Sequence, residues 1–474
     1  MPDKNKTKII CTIGPASRSP EMLADMMRAG MDIARLNFSH GSFADHKNDV
    51  LEIRKVAREI GKPLAIMADL PGPKIRIGEL ADEQLFLKSN ETLILTTASV
   101  IGTKEKISVN LPELPSKVTK GTSLFLNDGF IQLEVLDIEQ EDVLCRIVVG
   151  GPLRSRKGLN IPDVDLGVSA FTETDMKIAE FALGIGVDAL SQSFVEKSED
   201  IRSLRKFANN LGYAPYIIAK IERSHAVDNL DAILHESDGI MVARGDLGVE
   251  IPIARIPVVQ KQIVRKANRA GKPVITATQM LESMIYNRLP TRAEATDAAN
   301  AILDGSDCVM LSGESAVGKY PIEAVGTLRA IAVEVEKTRA TFACKTPGDP
   351  DLDEGDNILE IIASTVEKVI HRIKPAAVIV PTHSGITARN ITRYRLPVWV
   401  LGVSSQAKTC QELIFSYGIL PILEPDHPNH WRQWIRTNLQ LHGIQGDRAI
   451  LTEGPSSKYP DRNDRMEIID LLRE

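Results

Sequence analysis

Short apolar runs alternate with amphipathic stretches along this chain, and the rhythm breaks only once before residue 345. The runs are Lys8–Cys11, Asp32–Leu36, Pro63–Ala68, Ala189–Ser193, Tyr216–Ile221, Ile240–Arg244, Val274–Thr278 and Cys308–Leu311. The stretches between them carry helix signals: Pro20–Ala29 stops at Gly30, and a helix from about His46 to Ile60 stops at Gly61. Mostly non-alternating runs are strands buried on both faces, and strand-then-helix units build parallel sheets. Eight such units predict an α/β fold with a closed (β/α)8 TIM barrel.

The break runs from about Pro71 to Val168, where no long helical pattern occurs. Strand-like pieces take over: Gln84–Leu87, Thr92–Thr96, Ser123–Leu126, Phe130–Asp137 and Val143–Val149, with Asn127-Asp128-Gly129 as a turn signal. This predicts an inserted, barrel-like all-β domain over residues 71–168. The catalytic barrel then comprises 1–70 and 169–344. The acidic stretch Thr346–Asp356 reads as a linker, and residues 345–474 form a C-terminal open α/β sheet domain. Its order is helix Asn357–Arg372, strand Ala377–Pro381, helix Ile386–Arg393, strand Val398–Gly402, helix Ala407–Tyr417, strand Leu420–Leu423, helix Asn429–His442 and strand Arg448–Leu451.

Chemistry concentrates in Ile217-Ile218-Ala219-Lys220-Ile221-Glu222. In an extended chain Ile218, Lys220 and Glu222 share one face and the apolar residues share the other. A lysine and a glutamate on a buried strand cost too much desolvation unless a metal or an anionic ligand compensates them. A structural ion pair is the bland alternative, and it ranks second because a further carboxylate, Asp246, follows in the glycine-flanked Arg244-Gly245-Asp246-Leu247-Gly248. Two carboxylates at adjacent strand ends suit a hard divalent cation with positions open to substrate oxygens, as magnesium sits in phosphoryl-transfer sites. Lys220 would then face the transferring phosphate. Barrel enzymes gather catalytic residues at strand C-terminal ends, and these ends also carry Arg35 to His40, Asp69, Thr278-Gln279 and Ser312-Gly313-Glu314. The β domain, inserted after the third strand, is placed to close over that mouth as a lid.

Composition excludes several classes. The chain has 474 residues, 43% of them hydrophobic, and a net charge of −6. That charge gives no reason to expect nucleic-acid binding, and no apolar run approaches the roughly 20 residues of a membrane helix. No signal peptide opens the chain, so the expectation is a cytoplasmic enzyme. Cys11, Cys145, Cys308, Cys344 and Cys410 lack metal-ligand spacing and read as reduced thiols.

Longer motifs now come together. Ile10-Cys11-Thr12-Ile13-Gly14-Pro15-Ala16-Ser17, Ala34 to Gly41 (ARLNFSHG), Lys220-Ile221-Glu222, Met241 to Glu250 (MVARGDLGVE), Ala277 to Met284 (ATQMLESM) and Pro290-Thr291-Arg292-Ala293-Glu294 all resemble pyruvate kinase. The resemblance covers the barrel, the lid and, more loosely, the C-terminal domain. It implies transfer of the phosphoryl group of phosphoenolpyruvate to ADP in glycolysis, giving pyruvate and ATP. It implies Mg2+ on Glu222 and Asp246, with Mn2+ as an alternative ion, and Lys220 stabilising the phosphoryl in transit. Arg35 would clamp that group. Ala243, Arg244, Gly245 and Thr278 would hold the carboxylate side of the substrate, with Thr278 near the enolate. Asn37, His40, Arg76 and Lys157 match positions bordering the nucleotide phosphates; without the match, the basic run Arg154 to Gly158 reads as a solvated surface. A homotetramer is carried over from the family.

One departure matters. Members that need K+ hold it with the Asn and Ser of the Asn-Phe-Ser-His motif, an Asp and the Thr after it, within Asp-Thr-Lys-Gly-Pro-Glu. Here the matching run is Asp69-Leu70-Pro71-Gly72-Pro73-Lys74. A fixed ammonium at Lys74 supplies the charge of a monovalent cation, and loss of the glutamate weakens the cation's hold. Activity without K+ is the expectation, with Asn37, Ser39 and Asp69 left to shape that site.

The C-terminal turn Thr382-His383-Ser384-Gly385, with Thr387 behind it, is a candidate effector loop, although a helix cap without a ligand explains it at least as well. His383 stands where some relatives have lysine, and the tail Leu451 to Lys458 lacks the glycine-rich ending of fructose-1,6-bisphosphate-activated relatives. A sugar monophosphate or nucleotide monophosphate is the expected effector class. Three rival readings are weaker. A P-loop kinase, prompted by Gly313 to Tyr320, fails because Tyr320 replaces the hydroxyl that reaches magnesium. A Mg-dependent aldolase or lyase acting on pyruvate would need neither Lys220 nor the long lid. An inactive sugar-phosphate sensor would lack a catalytic group, whereas Arg35, Lys220, Glu222 and Asp246 are all present.

Overall fold

Eight parallel strands close into a ring in which each pairs with its neighbours in the barrel series and the first also pairs with the last. They are Lys8–Thr12, Met31–Asn37, Ala65–Leu70, Ala189–Gln192, Tyr216–Ile221, Gly239–Ala243, Val274–Ala277 and Cys308–Leu311. This computed structural model describes residues 5–162, 164, 167, 169–342, 358–426, 428–454 and 464–473. The two faces of the fifth strand divide as the alternation requires. Ile217, Ala219 and Ile221 join the core shared with the surrounding helices, while Ile218 joins Ile10, Ile33, Met67 and Met241 inside the ring. Capping follows residue type: Ser42 and Asp45 form a reciprocal box at the start of helix Phe43–Ile60, and Gly61 ends it at φ +68°.

The lid has its own apolar core and a six-stranded sheet. Strands Ser123–Leu126 and Ile131–Glu139 are joined by Asn127, Asp128 and Gly129, all left-handed at φ +52°, +56° and +88°. Asn, Asp and Gly are the residues that accept that conformation most readily. The tip of this hairpin reaches the barrel: a Cβ placed on Gly129 would lie 3.5 Å from Val249, on the short helix Arg244–Glu250. One turn of helix, Leu114–Lys117, interrupts the otherwise all-β domain.

The C-terminal domain is a five-stranded sheet in the order Ile419–Leu423, Trp399–Ser404, Ala377–Pro381, Arg448–Glu453, Arg465–Asp470. The last strand is antiparallel and absent from the sequence reading, because an edge strand rich in charge lacks an apolar run. The expected helix Ala407–Tyr417 stops at Leu413. The following residues turn away because Phe415 and Ile414 insert into the interior core of the barrel, where Phe415 stacks on Tyr216 at 5.5 Å. Tertiary burial overrides local helical pattern here. The linker Thr346–Asp356, Cys344, Val168 and Ser456 to Lys458 of the tail lie outside the described residues. Cys11, Cys145, Cys308 and Cys410 are free thiols.

Candidate active site

Strand register builds the site. Thr12 pairs with Arg35, Asn37 with Asp69, and Asp69 with Ser191, so polar side chains from adjacent strands meet at the C-terminal mouth. Asp69, 2% exposed, lies at their centre. It accepts from Arg35 Nε at 2.8 Å and Ser191 Oγ at 3.0 Å, and its Oδ1 is 3.2 Å from Lys220 Nζ. Burial alone would lift its carboxyl, but the Lys220 and Arg35 charges outweigh it and hold the pKa below the ordinary value. Arg35 also donates to Thr12 Oγ1 at 2.9 Å, which fixes the guanidinium on two sides.

Lys220 lies 2.9 Å from Glu222 and donates to Ser193 Oγ at 2.6 Å. Burial works against its charge, yet Asp69 and Glu222 raise its pKa above the ordinary value, so the ammonium stays protonated. Glu222 is 1% exposed and accepts from the Phe194 backbone N–H at 2.7 Å. Burial lifts its carboxyl and the Asp246 charge adds to that lift, against the pull of Lys220. Two carboxylates that repel one another despite an adjacent lysine form a hard oxygen donor set suited to a divalent cation. Among the described residues no three Asp, Glu, His or Cys side chains gather into a larger metal group, so most of a metal's shell would fall to substrate oxygens and water. Asp246 corrects one expectation: it stands in the first turn of helix Arg244–Glu250 rather than at a strand end, because the strand finishes at Ala243.

The backbone at this mouth is strained. Phe194, Thr278 and Gln279 all adopt left-handed conformations, at φ +56°, +67° and +52°. For β-branched Thr278 that is a genuine outlier, and such strain collects at functional sites. Thr278 Oγ1 accepts from the Gly245 backbone N–H at 2.8 Å, which ties the sixth and seventh strand ends together. The Arg244 side chain is engaged by the protein's own groups. It is tied to Asp297 at 2.7 Å, the Thr278 carbonyl at 2.7 Å and the Ala277 carbonyl at 3.2 Å, so it acts as a brace. Ala243 is buried at the end of its strand.

The other candidates fall into separate groups. Asn37 Oδ1 accepts from the Ser39 backbone N–H at 3.1 Å, and the His40 carbonyl accepts from His46 at 2.8 Å, so both shape the loop after the second strand. Arg76 bridges to Gly158 and donates to the Arg156 carbonyl at 2.9 Å, while the Lys157 carbonyl accepts from Ile77. Arg76 and Lys157 therefore sit together at the base of the lid. Lys74 lines the cleft between lid and barrel with Asp246, Glu196, Arg223 and Glu250. In the C-terminal turn, Gly385 N–H donates to Thr382 Oγ1 at 2.9 Å and Thr409 donates to the His383 carbonyl at 2.7 Å. The Ser384 carbonyl accepts from Arg389, and Thr387 lies in the first turn of helix Ile386–Thr392. These bonds favour the helix-cap reading.

Sequence reasoning missed Thr12, Ser191, Ser193, Phe194 and Arg223. Ser191 and Ser193 alternate along the fourth strand and its end, and reading that alternation would have found them. Arg223 is a knot between domains: it reaches Glu196 at 2.9 Å, Glu250 at 3.5 Å, and the lid carbonyls of Ile161 at 3.3 Å and Val164 at 3.0 Å. No sequence pattern marks it.

A closed barrel with an inserted β domain, and a buried lysine and two carboxylates at its mouth, defines the class: a (β/α)8 barrel with a candidate divalent-cation site. Comparisons with known proteins then narrow it. Residues 4–325 match the pyruvate kinase barrel domain and residues 360–469 its alpha/beta domain. Pyruvate kinase of Thermococcus litoralis is 42% identical over 95% of each chain, and that of Clostridium acetobutylicum is 42% identical over 88% of each. The crystal structure of a pyruvate kinase from Cryptosporidium parvum superposes with a TM-score of 0.89 at 35% identity, covering 98% of this chain and 96% of that one. The chain belongs to the pyruvate kinase family.

Proposed function

We propose that this chain transfers the phosphoryl group of phosphoenolpyruvate to ADP, giving pyruvate and ATP, as a cytoplasmic enzyme of glycolysis. The observation that carries the reading is the convergence of protonated Lys220 with Arg35, Glu222 and the Asp246 charge under the lid. Glu222 and Asp246 would hold Mg2+, or Mn2+ in its place, which when bound neutralises charge on substrate oxygens. Lys220 stabilises the phosphoryl as it passes between oxygens, a task of positioning and electrostatics. Arg35 clamps that group from a guanidinium already fixed by Asp69 and Thr12. Thr278 and the backbone from Ala243 to Gly245 flank the carboxylate side. Asn37, His40, Arg76 and Lys157 border the nucleotide phosphates, and the lid excludes water. A coupled assay of purified protein with phosphoenolpyruvate, ADP and Mg2+ tests this: pyruvate forms only when ADP is present. Pyruvate formed equally well without ADP would mean that water takes the phosphoryl group and would overturn the proposed transfer.

Activity does not require K+. Lys74 lines the cleft beside Asp246, and among the described residues it has no ion-pair partner within 4.0 Å, so its charge is free to stand in for the cation. Asp69, a ligand in K+-dependent relatives, is engaged here by Arg35 and Lys220. Rates in a salt of a bulky organic cation should change little when KCl is added; strong activation would overturn this. The assembly is a homotetramer, checked by light scattering. A sugar or nucleotide monophosphate acts on the C-terminal domain, checked by titration at subsaturating phosphoenolpyruvate.

A further inference from the structure

The two linkers that carry the chain into and out of the lid meet at one buried carboxylate. The outgoing linker leaves strand Ala65–Leu70 and turns at Gly72, whose φ is +65°. The returning linker ends at Thr172, the cap of helix Glu173–Gly184. Asp175, wholly buried in the first turn of that helix, holds both. Its Oδ1 accepts from the Gly72 backbone N–H at 3.0 Å, and its Oδ2 accepts from the Thr172 backbone N–H at 2.9 Å and hydroxyl at 2.6 Å. Capping the helix needs only the Thr172 bonds, so the Gly72 bond is left for another purpose.

That purpose lies in what Gly72 rests against. A Cβ placed on Gly72 would stand 3.0 Å from Phe194 Cδ2 and 3.1 Å from the Ser193 carbonyl oxygen. These two residues make the corner after the fourth barrel strand that holds the site: Ser193 Oγ accepts from Lys220 Nζ at 2.6 Å, and the Phe194 N–H donates to Glu222 at 2.7 Å. The returning linker is tied to the same corner. Gln192, wholly buried, donates through Nε2 to the Ala170 carbonyl at 2.7 Å and to the Ser193 carbonyl at 3.1 Å. The corner is strained at Phe194, φ +56°, so its shape is imposed by these neighbours. Both linkers therefore bear on the two residues that hold the lysine and the glutamate.

We infer that Asp175 is a positioning residue: by clasping both lid linkers it seats Gly72 on the Ser193–Phe194 corner, and so sets the Lys220–Glu222 pair in register with the lid. A shift of a few tenths of an ångström at the corner passes directly into the ammonium and carboxylate positions, where placement governs rate. The effect on turnover rests on the phosphoryl-transfer reading of that pair; the clasp does not.

Gly72→Ala and Gly61→Ala, made in the full-length protein, separate the clasp from plain backbone strain. Gly61 ends helix Phe43–Ile60 at φ +68° with nothing within 4 Å of an added Cβ, so alanine costs similar strain at both positions but presses on the corner only at 72. The readouts are hydrogen exchange of the Phe194 amide, followed by mass spectrometry, and steady-state turnover. Gly72→Ala should exchange that amide about tenfold faster and turn over about tenfold more slowly than wild type, while Gly61→Ala matches wild type in both. Asp175→Asn, with one acceptor oxygen in place of two, must release one linker and should move both readouts the same way. Unchanged Phe194 exchange in either Gly72→Ala or Asp175→Asn, faster exchange with unchanged turnover, or equal effects of the two glycine substitutions would overturn the inference. If Gly72→Ala fails to fold, Asp175→Asn alone decides. A wild type that forms no pyruvate from phosphoenolpyruvate and ADP would instead sink the phosphoryl-transfer reading, and Phe194 exchange would still decide the clasp.

Discussion

The two ends of the barrel solve opposite problems. At the mouth, Arg35, Asp69, Lys220 and Glu222 are nearly or wholly buried, and Phe194, Thr278 and Gln279 hold left-handed backbone. At the base, Phe415 and Ile414 fill the interior, and the charges buried at the domain junction are answered: Lys8 Nζ donates to the Ile419 carbonyl at 2.7 Å, and Asp307 pairs with Arg395 at 2.6 Å and accepts from the Tyr417 N–H at 2.8 Å. Buried charges and strained backbone draw on stability, whereas an apolar plug supplies it. The mouth holds chemistry in place at a stability cost, and the base offsets that cost from the far side of the same strands. Substitutions at the two ends should therefore separate turnover from stability.

The sharpest break is Lys220→Met. Turnover should fall by roughly 10²–10³ or more, as when a single preorganised charge stabiliser is lost. The fold should survive, because Asp69 keeps Arg35 and the already lifted Glu222 carboxyl can take up a proton. Steady-state rates and far-UV circular dichroism check both halves, and near-normal turnover would remove Lys220 from the chemistry.

At the base, Phe415→Ala should cost about 3–5 kcal/mol in denaturant unfolding while turnover per folded molecule changes less than about twofold, the signature of a core cavity. A large loss of turnover at unchanged stability would mean that the base reaches the mouth and that the separation is wrong.

Arg223→Lys probes the boundary between these behaviours. It keeps a positive charge near Glu196 and Glu250 but cannot reproduce the fork that also reaches the lid carbonyls of Ile161 and Val164. Turnover should drop about tenfold, the worth of a lost charge-assisted bond. No change would show that the lid is held elsewhere.

What the sequence made legible follows the same division. The barrel strands could be read because parallel strands buried on both faces appear as apolar runs, and Lys220 with Glu222 stood out against one of them. The lid hairpin was legible from Asn127-Asp128-Gly129, whose chemistry is local. Phe415 was not, because its helical surroundings gave no sign of a cavity waiting in another domain. The position of Asp246 on a helix, the braced Arg244 and the Arg223 knot likewise depend on partners distant in sequence. The charged edge strand Arg465–Asp470 lacks the apolar run that marks the others.

On the proposed chemistry, Glu222 and Asp246 would act together on one divalent ion beside Lys220. A titration of Mn2+ followed by electron paramagnetic resonance, in the presence of phosphoenolpyruvate, tests this directly in the wild type and in Glu222→Gln and Asp246→Asn. Each substitution should weaken Mn2+ binding by about tenfold or more if each removes one of the two proposed charged ligands. Mn2+ affinity equal to wild type in either variant would show that the two carboxylates do not share the ion.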